Sequence, residues 1–187
     1  GHCRQYLQEL PNAGNIEVHI HRLTKLGIPE EEDEDHRDEE KIPTRMQDML
    51  PFAFGPRDLL GDKATYMLRH VSDELRQTAT EEMESATEIC KSKSEEGSAE
   101  GGQDEVVEKA LEKVARAAAL VSYAPYSGCK AGIALKSKDG TVVYGFPVES
   151  CAFNPRMPPL QCALVAWVEH GCGEWTNIET CMLCEDS

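Results

Sequence analysis

From residue 105 onward the apolar positions recur first with the period of a helix and then with the period of strands. Val106, Val107, Ala110, Leu111, Val114, Ala117, Ala118 and Val121 share one stripe, with Glu108, Lys109, Glu112 and Lys113 opposite, so Glu105 to Val121 is predicted as an amphipathic helix. Lys130 to Lys136 then reads as a strand, Lys138-Asp139-Gly140-Thr141 as a hairpin turn, and Val142 to Val148 as a second strand. The proline-rich corner Phe153 to Pro159 leads into a second helix from Leu160 to Val168, and Asn177 to Cys184 reads as a short buried strand. The order helix, strand, strand, helix, strand predicts an α/β fold with a mixed sheet flanked by helices.

The upstream half is patterned less regularly. Gly1 to Leu10 predicts a short helix with Tyr6, Leu7 and Leu10 on its apolar face, closed by Pro11. Asn12 to Gly14 forms a turn, and Asn15 to Leu23 alternates Ile16, Val18 and Ile20 against Glu17, His19 and His21, as a half-buried strand does. The run of acidic residues within 29–41 has almost nothing to bury and predicts a solvated loop. Met46, Met49 and Leu50 make a short amphipathic turn, and Phe52, Phe54, Gly55 and Pro56 a tight, apolar, structured loop. Val71 to Lys91 reads as a weak, exposed helix, and Ser92 to Asp104 as a disordered linker. Three regions follow: residues 1–68 with the acidic loop, an acidic and largely disordered linker over 69–104, and a second domain over 105–187.

Charge and cysteine content narrow the function. Thirty-four acidic against 19 basic residues give a net charge of -15, which opposes binding to nucleic acid, where Lys and Arg must neutralise phosphates. No apolar run approaches the roughly 20 residues needed to span a bilayer, so no membrane partner is expected. The eight cysteines lie largely within apolar runs, which predicts free thiols in a reducing, cytoplasmic compartment. The first residues, GHCRQYL, include no initiator Met, and the chain is expected to begin within a longer protein; an organellar leader upstream stays open.

Few residues carry evident chemistry. Cys3 lies at the start of a predicted helix, where unpaired amides favour a thiolate, although a helical Cys also serves as a small hydrophobe. Cys181 and Cys184 form a C-x-x-C pair, yet on a strand residues i and i+3 point to opposite faces, against a shared metal. Cys151 and Cys162 have no His or Glu beside them and read as structural thiols, and His19 and His21 as surface residues.

GHCRQYLQEL, Gly1 to Leu10, resembles the second half of the zinc-binding P-C-G-H-C-R-Q-F signature of cytidine deaminases. Leu50 to Leu59, LPFAFGPRDL, resembles the LPxAFGPxDL segment of the two-domain, homodimeric members of that family. Ser122 to Leu164, including AFNPRMPPLQ, resembles their second, deaminase-like domain. The resemblance implies zinc-dependent hydrolytic deamination of cytidine or deoxycytidine to uridine or deoxyuridine in pyrimidine salvage. In such a site three ligands hold Zn²⁺ and a glutamate that is not a ligand moves the protons. It also implies a homodimer, Cys3 as one zinc ligand, and Phe54 at the nucleoside pocket across the dimer interface, or as an anchor for its own loop.

This chain departs from the family pattern. The first cysteine of the signature and the His-Ala-Glu helix would lie upstream of Gly1, and where the second repeat would carry His-Ala-Glu stand Pro159, Leu160 and Gln161. Proline offers no ligand and an amide no titratable proton. The expectation is a fragment with the tail of the catalytic domain and most of a non-catalytic repeat, with no general acid/base in this chain and no activity alone. The alternative expectation is a non-enzymatic, deaminase-like dimerisation partner.

Overall fold

The computed structural model describes residues 2–19, 44–67, 69–95 and 103–186; the acidic loop, His21 and the distal half of the first predicted strand lie outside them. The upstream segment is built from short pieces. Helix α1 (His2–Tyr6) tightens into a 3₁₀ turn at Leu7–Glu9. Strands β1 (Glu17–Val18) and β2 (Thr44–Arg45) pair antiparallel, and β2 runs into α2 (Met46–Met49). Met46 is fully buried and donates its N–H to the Ile16 carbonyl. Helix α3 (Pro56–Leu60) starts with proline, where the missing N–H is harmless, and the Asp58 carboxylate accepts the Gly55 N–H at 2.7 Å.

Helices α4 (Asp73–Glu95) and α5 (Gln103–Leu120) then pack against each other. Residues 69–104, expected to be largely disordered with a weak exposed helix over 71–91, instead carry the longest helix among the described residues. The reason lies in a narrow stripe. Ala79, Met83, Ala86 and Cys90 recur at helical spacing and are buried against Ala110, Leu111, Val114, Ala117 and Ala118 of α5. Small side chains on both helices let the backbones approach closely, so a mostly polar helix still buries a continuous seam. Residues 92–95 and 103–104 of the expected linker are helical, and 96–102 lie outside the described set.

Strands β3 (Ala131–Ser137), β4 (Val142–Gly145) and β5 (Ile178–Glu185) form an antiparallel sheet in the order β4-β3-β5, with α6 (Pro159–Glu169) between β4 and β5 in sequence. The α/β class is the one expected; the pairing of the sheet strands is antiparallel, and the parallel contact is an isolated bridge between Tyr123 and Val148. Side-chain alternation divides β3 between two layers. Ala134 faces the α4–α5 layer, while Ile133 and Leu135, with Val143 of β4, face Ala163 and Trp167 of α6. Trp167 is fully buried and donates its indole N–H to the Gly173 carbonyl at 3.0 Å. Two glycines set the spacing of the layers. A Cβ on Gly132 would lie 2.1 Å from the Ala115 carbonyl oxygen, and one on Gly145 would lie 2.3 Å from the Pro159 carbonyl oxygen.

Strand β5, expected to be buried, alternates between half-buried and exposed positions because, among the described residues, it is paired only with β3. Cys181 is exposed and Cys184 half-buried, and their cross-strand partners, Leu135 and Gly132, face opposite layers of the sheet. Among the described residues no helix is long and apolar enough to cross a membrane.

Candidate functional site

The helix bearing Cys3 is too short to be stable alone, and its neighbours hold it. Arg4 Nη1 donates to the Met49 carbonyl at 3.1 Å, and Gln5 Nε2 donates to the Phe54 carbonyl. These contacts bring the Cys3 helix and the Phe54 loop together. Cys3 is exposed, Phe54 is 40% exposed, and Phe52 projects fully into solvent from a left-handed backbone at φ 59°.

Beneath this surface lies a cluster absent from the sequence-based expectation. The Glu9 side chain is fully buried at the end of the 3₁₀ turn. Its Oε2 accepts the Tyr126 hydroxyl at 2.6 Å and lies 3.0 Å from the Tyr123 hydroxyl, while its Oε1 accepts the Cys151 backbone N–H at 2.7 Å. A buried carboxylate would be destabilising without partners, and these groups supply them. The Glu9 carbonyl in turn accepts the Met67 N–H at 2.9 Å. Among the described residues, the hydrogen-bond partners of the Glu9 side chain all come from the downstream segment.

The downstream loop is shaped for this contact. Glu149 Oε2 accepts the N–H groups of Tyr126 and Ser127 at 2.9 and 3.2 Å, fixing the turn that carries Tyr126. Burial, then the neighbouring Glu9 carboxylate, raises both tyrosine hydroxyls well above an ordinary phenol. Burial, then hydrogen bonding to Glu9, pushes the Cys151 thiol up to about 12. At neutral pH Cys151 is therefore a protonated donor, and its Sγ lies 3.2 Å from the Phe54 carbonyl oxygen that Gln5 also reaches. His70 joins the seam from the other side, with Nε2 3.0 Å from the Val121 carbonyl and its ring 5.0 Å from that of Tyr123, edge to face.

The residues present do not by themselves fit a zinc centre. Four-coordinate zinc needs three or four converging thiolate, imidazole or carboxylate groups, and among the described residues no three such groups converge. Cys3 is an exposed free thiol. Cys151 is occupied as a donor, Cys181 and Cys184 diverge, and Cys162 is half-buried with its pKa raised by burial. Pro159 opens α6 and Gln161 is exposed on it, so neither forms a site. A cavity of about 630 Å³ lies between α5 and β5, lined by Asp104, Glu108, Lys136, Glu179 and Cys181 and not by Cys3 or Phe54.

The helix that bears Cys3 and the loop that bears Phe54 are neighbours in space, and the buried cluster of Glu9, Tyr123, Tyr126 and Cys151 is what sequence reasoning missed. One signal was available: Glu9 is an acid flanked by Leu10 and one turn from Tyr6, on the side of the helix that the apolar pattern marks as buried.

A three-stranded antiparallel sheet between a helix pair and a single helix makes this an α/β protein. A family model described as "Cytidine and deoxycytidylate deaminase zinc-binding region" matches residues 46–187, and the chain belongs to this family. It is 35% identical to cytidine deaminase 1 of Arabidopsis thaliana over 173 residues, covering 92% of this chain and 50% of that protein. It is 33% identical to the cytidine deaminase of Serratia proteamaculans over 165 residues, covering 88% of this chain and 40% of that protein. The chain therefore spans half or less of the length of these relatives. A crystal structure of cytidine deaminase from Burkholderia pseudomallei shares 29% identity at a TM-score of 0.40, over 42% of this chain and 61% of that one.

Proposed function

We propose that this chain is an internal or C-terminal portion of a two-domain, homodimeric cytidine deaminase. It would hold the tail of the catalytic domain and a non-catalytic repeat. The reaction of the whole protein is the zinc-dependent hydrolysis of cytidine or deoxycytidine to uridine or deoxyuridine, with ammonia leaving, and its place is pyrimidine salvage in the cytoplasm. Cys3 supplies one zinc ligand, and Phe54 faces the nucleoside of the partner protomer. The remaining ligands and the general acid/base lie outside these 187 residues. The observation that carries this reading is the seating of the Cys3 helix on the Phe54 loop through Gln5. Two segments that each carry part of the family resemblance, one with the zinc ligand and one with the ring offered to the partner protomer, thereby become neighbours.

The test is made on the complete protein that contains this chain. With Cys3→Ser, zinc measured by mass spectrometry falls from about one per protomer to near zero, and loss of the cytosine absorbance band ceases. The 187-residue chain alone gives no turnover with added zinc. Zinc-dependent deamination by the chain alone would overturn the assignment of the missing groups, and full activity in Cys3→Ser would overturn the role of Cys3.

A further inference from the structure

The second repeat reaches the Phe54 loop by an unbroken set of contacts. Glu9 accepts the Cys151 N–H at 2.7 Å and the Tyr126 hydroxyl at 2.6 Å, which fixes the backbone of the turn that begins at Cys151. From that turn the Cys151 thiol reaches the Phe54 carbonyl at 3.2 Å, where Gln5 Nε2 arrives from the Cys3 helix. A carbonyl oxygen has two lone pairs, and here both are engaged by side chains from separate segments. The two ends of the loop are held separately, by Arg4 on the Met49 carbonyl and by the Asp58 carboxylate on the Gly55 N–H, with Pro56 buried, while between them Phe52 is fully exposed on a left-handed backbone and Phe54 is part-exposed.

We propose that Glu9 and Cys151 are positioning residues, through which the non-catalytic repeat fixes the Phe54 loop in the orientation that presents its aromatic ring to the substrate. This rests on the deaminase reading for the identity of that substrate, a pyrimidine nucleoside. The tether itself stands on the geometry of this chain alone. The repeat thereby acts on substrate binding without touching substrate. A loop set free would still sample the bound orientation, so its release lowers affinity more than it slows the chemical step.

Two arms test this separately. The chain contains four phenylalanines, Phe52, Phe54, Phe146 and Phe153, so fluorophenylalanine labelling of the full chain gives four fluorine resonances, that of Phe54 assigned with Phe54→Leu. Cys151→Ala is expected to shift and broaden the Phe54 resonance while that of Phe146, held in the α4–α5 layer, stays in place. Cys151→Ser, which keeps a donor, restores the Phe54 signal. Glu9→Leu removes the acceptor that seats the turn and has the same effect as Cys151→Ala; should it fail to fold, the Cys151 pair carries the test. An unmoved Phe54 resonance in Cys151→Ala overturns the tether.

In the complete zinc-loaded protein, Cys151→Ala raises KM for cytidine on the order of tenfold, the effect of one lost buried hydrogen bond, with kcat within about threefold, and Cys151→Ser returns KM toward wild type. An unchanged KM, or an equal fall in kcat, overturns the positioning role. A wild-type protein that never turns over cytidine overturns the deaminase reading and the nucleoside part of this proposal with it, a result the fluorine spectrum separates from failure of the tether.

Discussion

Gly132→Ala is the substitution whose outcome the packing of this fold fixes most tightly. A Cβ at Gly132 would lie 2.1 Å from the Ala115 carbonyl oxygen, 2.5 Å from the Ala119 nitrogen and 2.9 Å from the Ala118 Cβ. Ordinary carbon contacts sit at about 3.5–4.0 Å, so the group must gain more than an ångström of room. Two of the three obstacles are backbone atoms in the C-terminal part of α5, which no rotamer change can move. Relief requires α5 to lift from β3, and that interface includes Leu111, Val114 and Ala118, all fully buried. Overpacking usually costs about 1–3 kcal/mol, and a backbone obstacle places this variant at the top of that range or above. Against a total stability of about 5–15 kcal/mol the loss is large. Urea unfolding followed by circular dichroism measures it, with Gly128→Ala as the comparison. Gly128 has φ 73° and nothing within 4 Å of the added carbon, so that variant bears backbone strain of about 1–2 kcal/mol and no collision. A Gly132→Ala midpoint equal to wild type, at unchanged slope, would refute the close approach of α5 to β3.

Three further outcomes are expected. The hydroxyls of Tyr123 and Tyr126 and the thiol of Cys151 all hold their protons more tightly in the folded chain than the ordinary 10.0 and 9.0, so the unfolded chain releases them first and stability falls as pH rises above about 9; urea midpoints that stay level into the alkaline range would contradict this. Brief iodoacetamide treatment with peptide mapping should label the exposed Cys3, Cys129 and Cys181 well before the buried Cys90 and Cys151, and early labelling of Cys90 would mean that α4 is not docked. Phe52→Asn should raise stability by about 1 kcal/mol, because asparagine tolerates the left-handed backbone that phenylalanine occupies here at φ 59°, and a lower melting temperature would show that the exposed ring is held by contacts this chain does not contain.

The downstream half was legible in the sequence because its elements are long and each has one clean period. The stripe from Val106 to Val121 and the alternation around Ile133 and Leu135 each identify an element by spacing alone, and the Lys138–Thr141 turn closes between β3 and β4 where Gly140 suggested. The edge position of β5 was not legible, since Ile178, Met182 and Leu183 are as apolar as the residues of a central strand, and only the neighbours of a strand determine its exposure. Helix α4 was expected over 71–91, but its buried face was not, for the opposite reason: its average is polar, and a seam of alanines with one Met and one Cys carries little hydrophobic signal per residue. The polar cluster was hidden because Glu9 and Cys151 are 142 residues apart and neither belongs to a local motif that would announce the other. Cys3 and Phe54 were singled out through resemblance to a family; the contacts that bring their two segments together are a property of the folded chain.

The seam between α4 and α5 bears on how this gene can be cut or recombined. Judged by composition, the break between its two halves would fall just before residue 105. A piece beginning there would lay Leu111, Val114, Ala117 and Ala118 open to water and would associate through them, whereas a piece beginning near residue 73 carries its own cover. A cut placed ahead of α4 therefore keeps the seam closed, and a cut between α4 and α5 opens it.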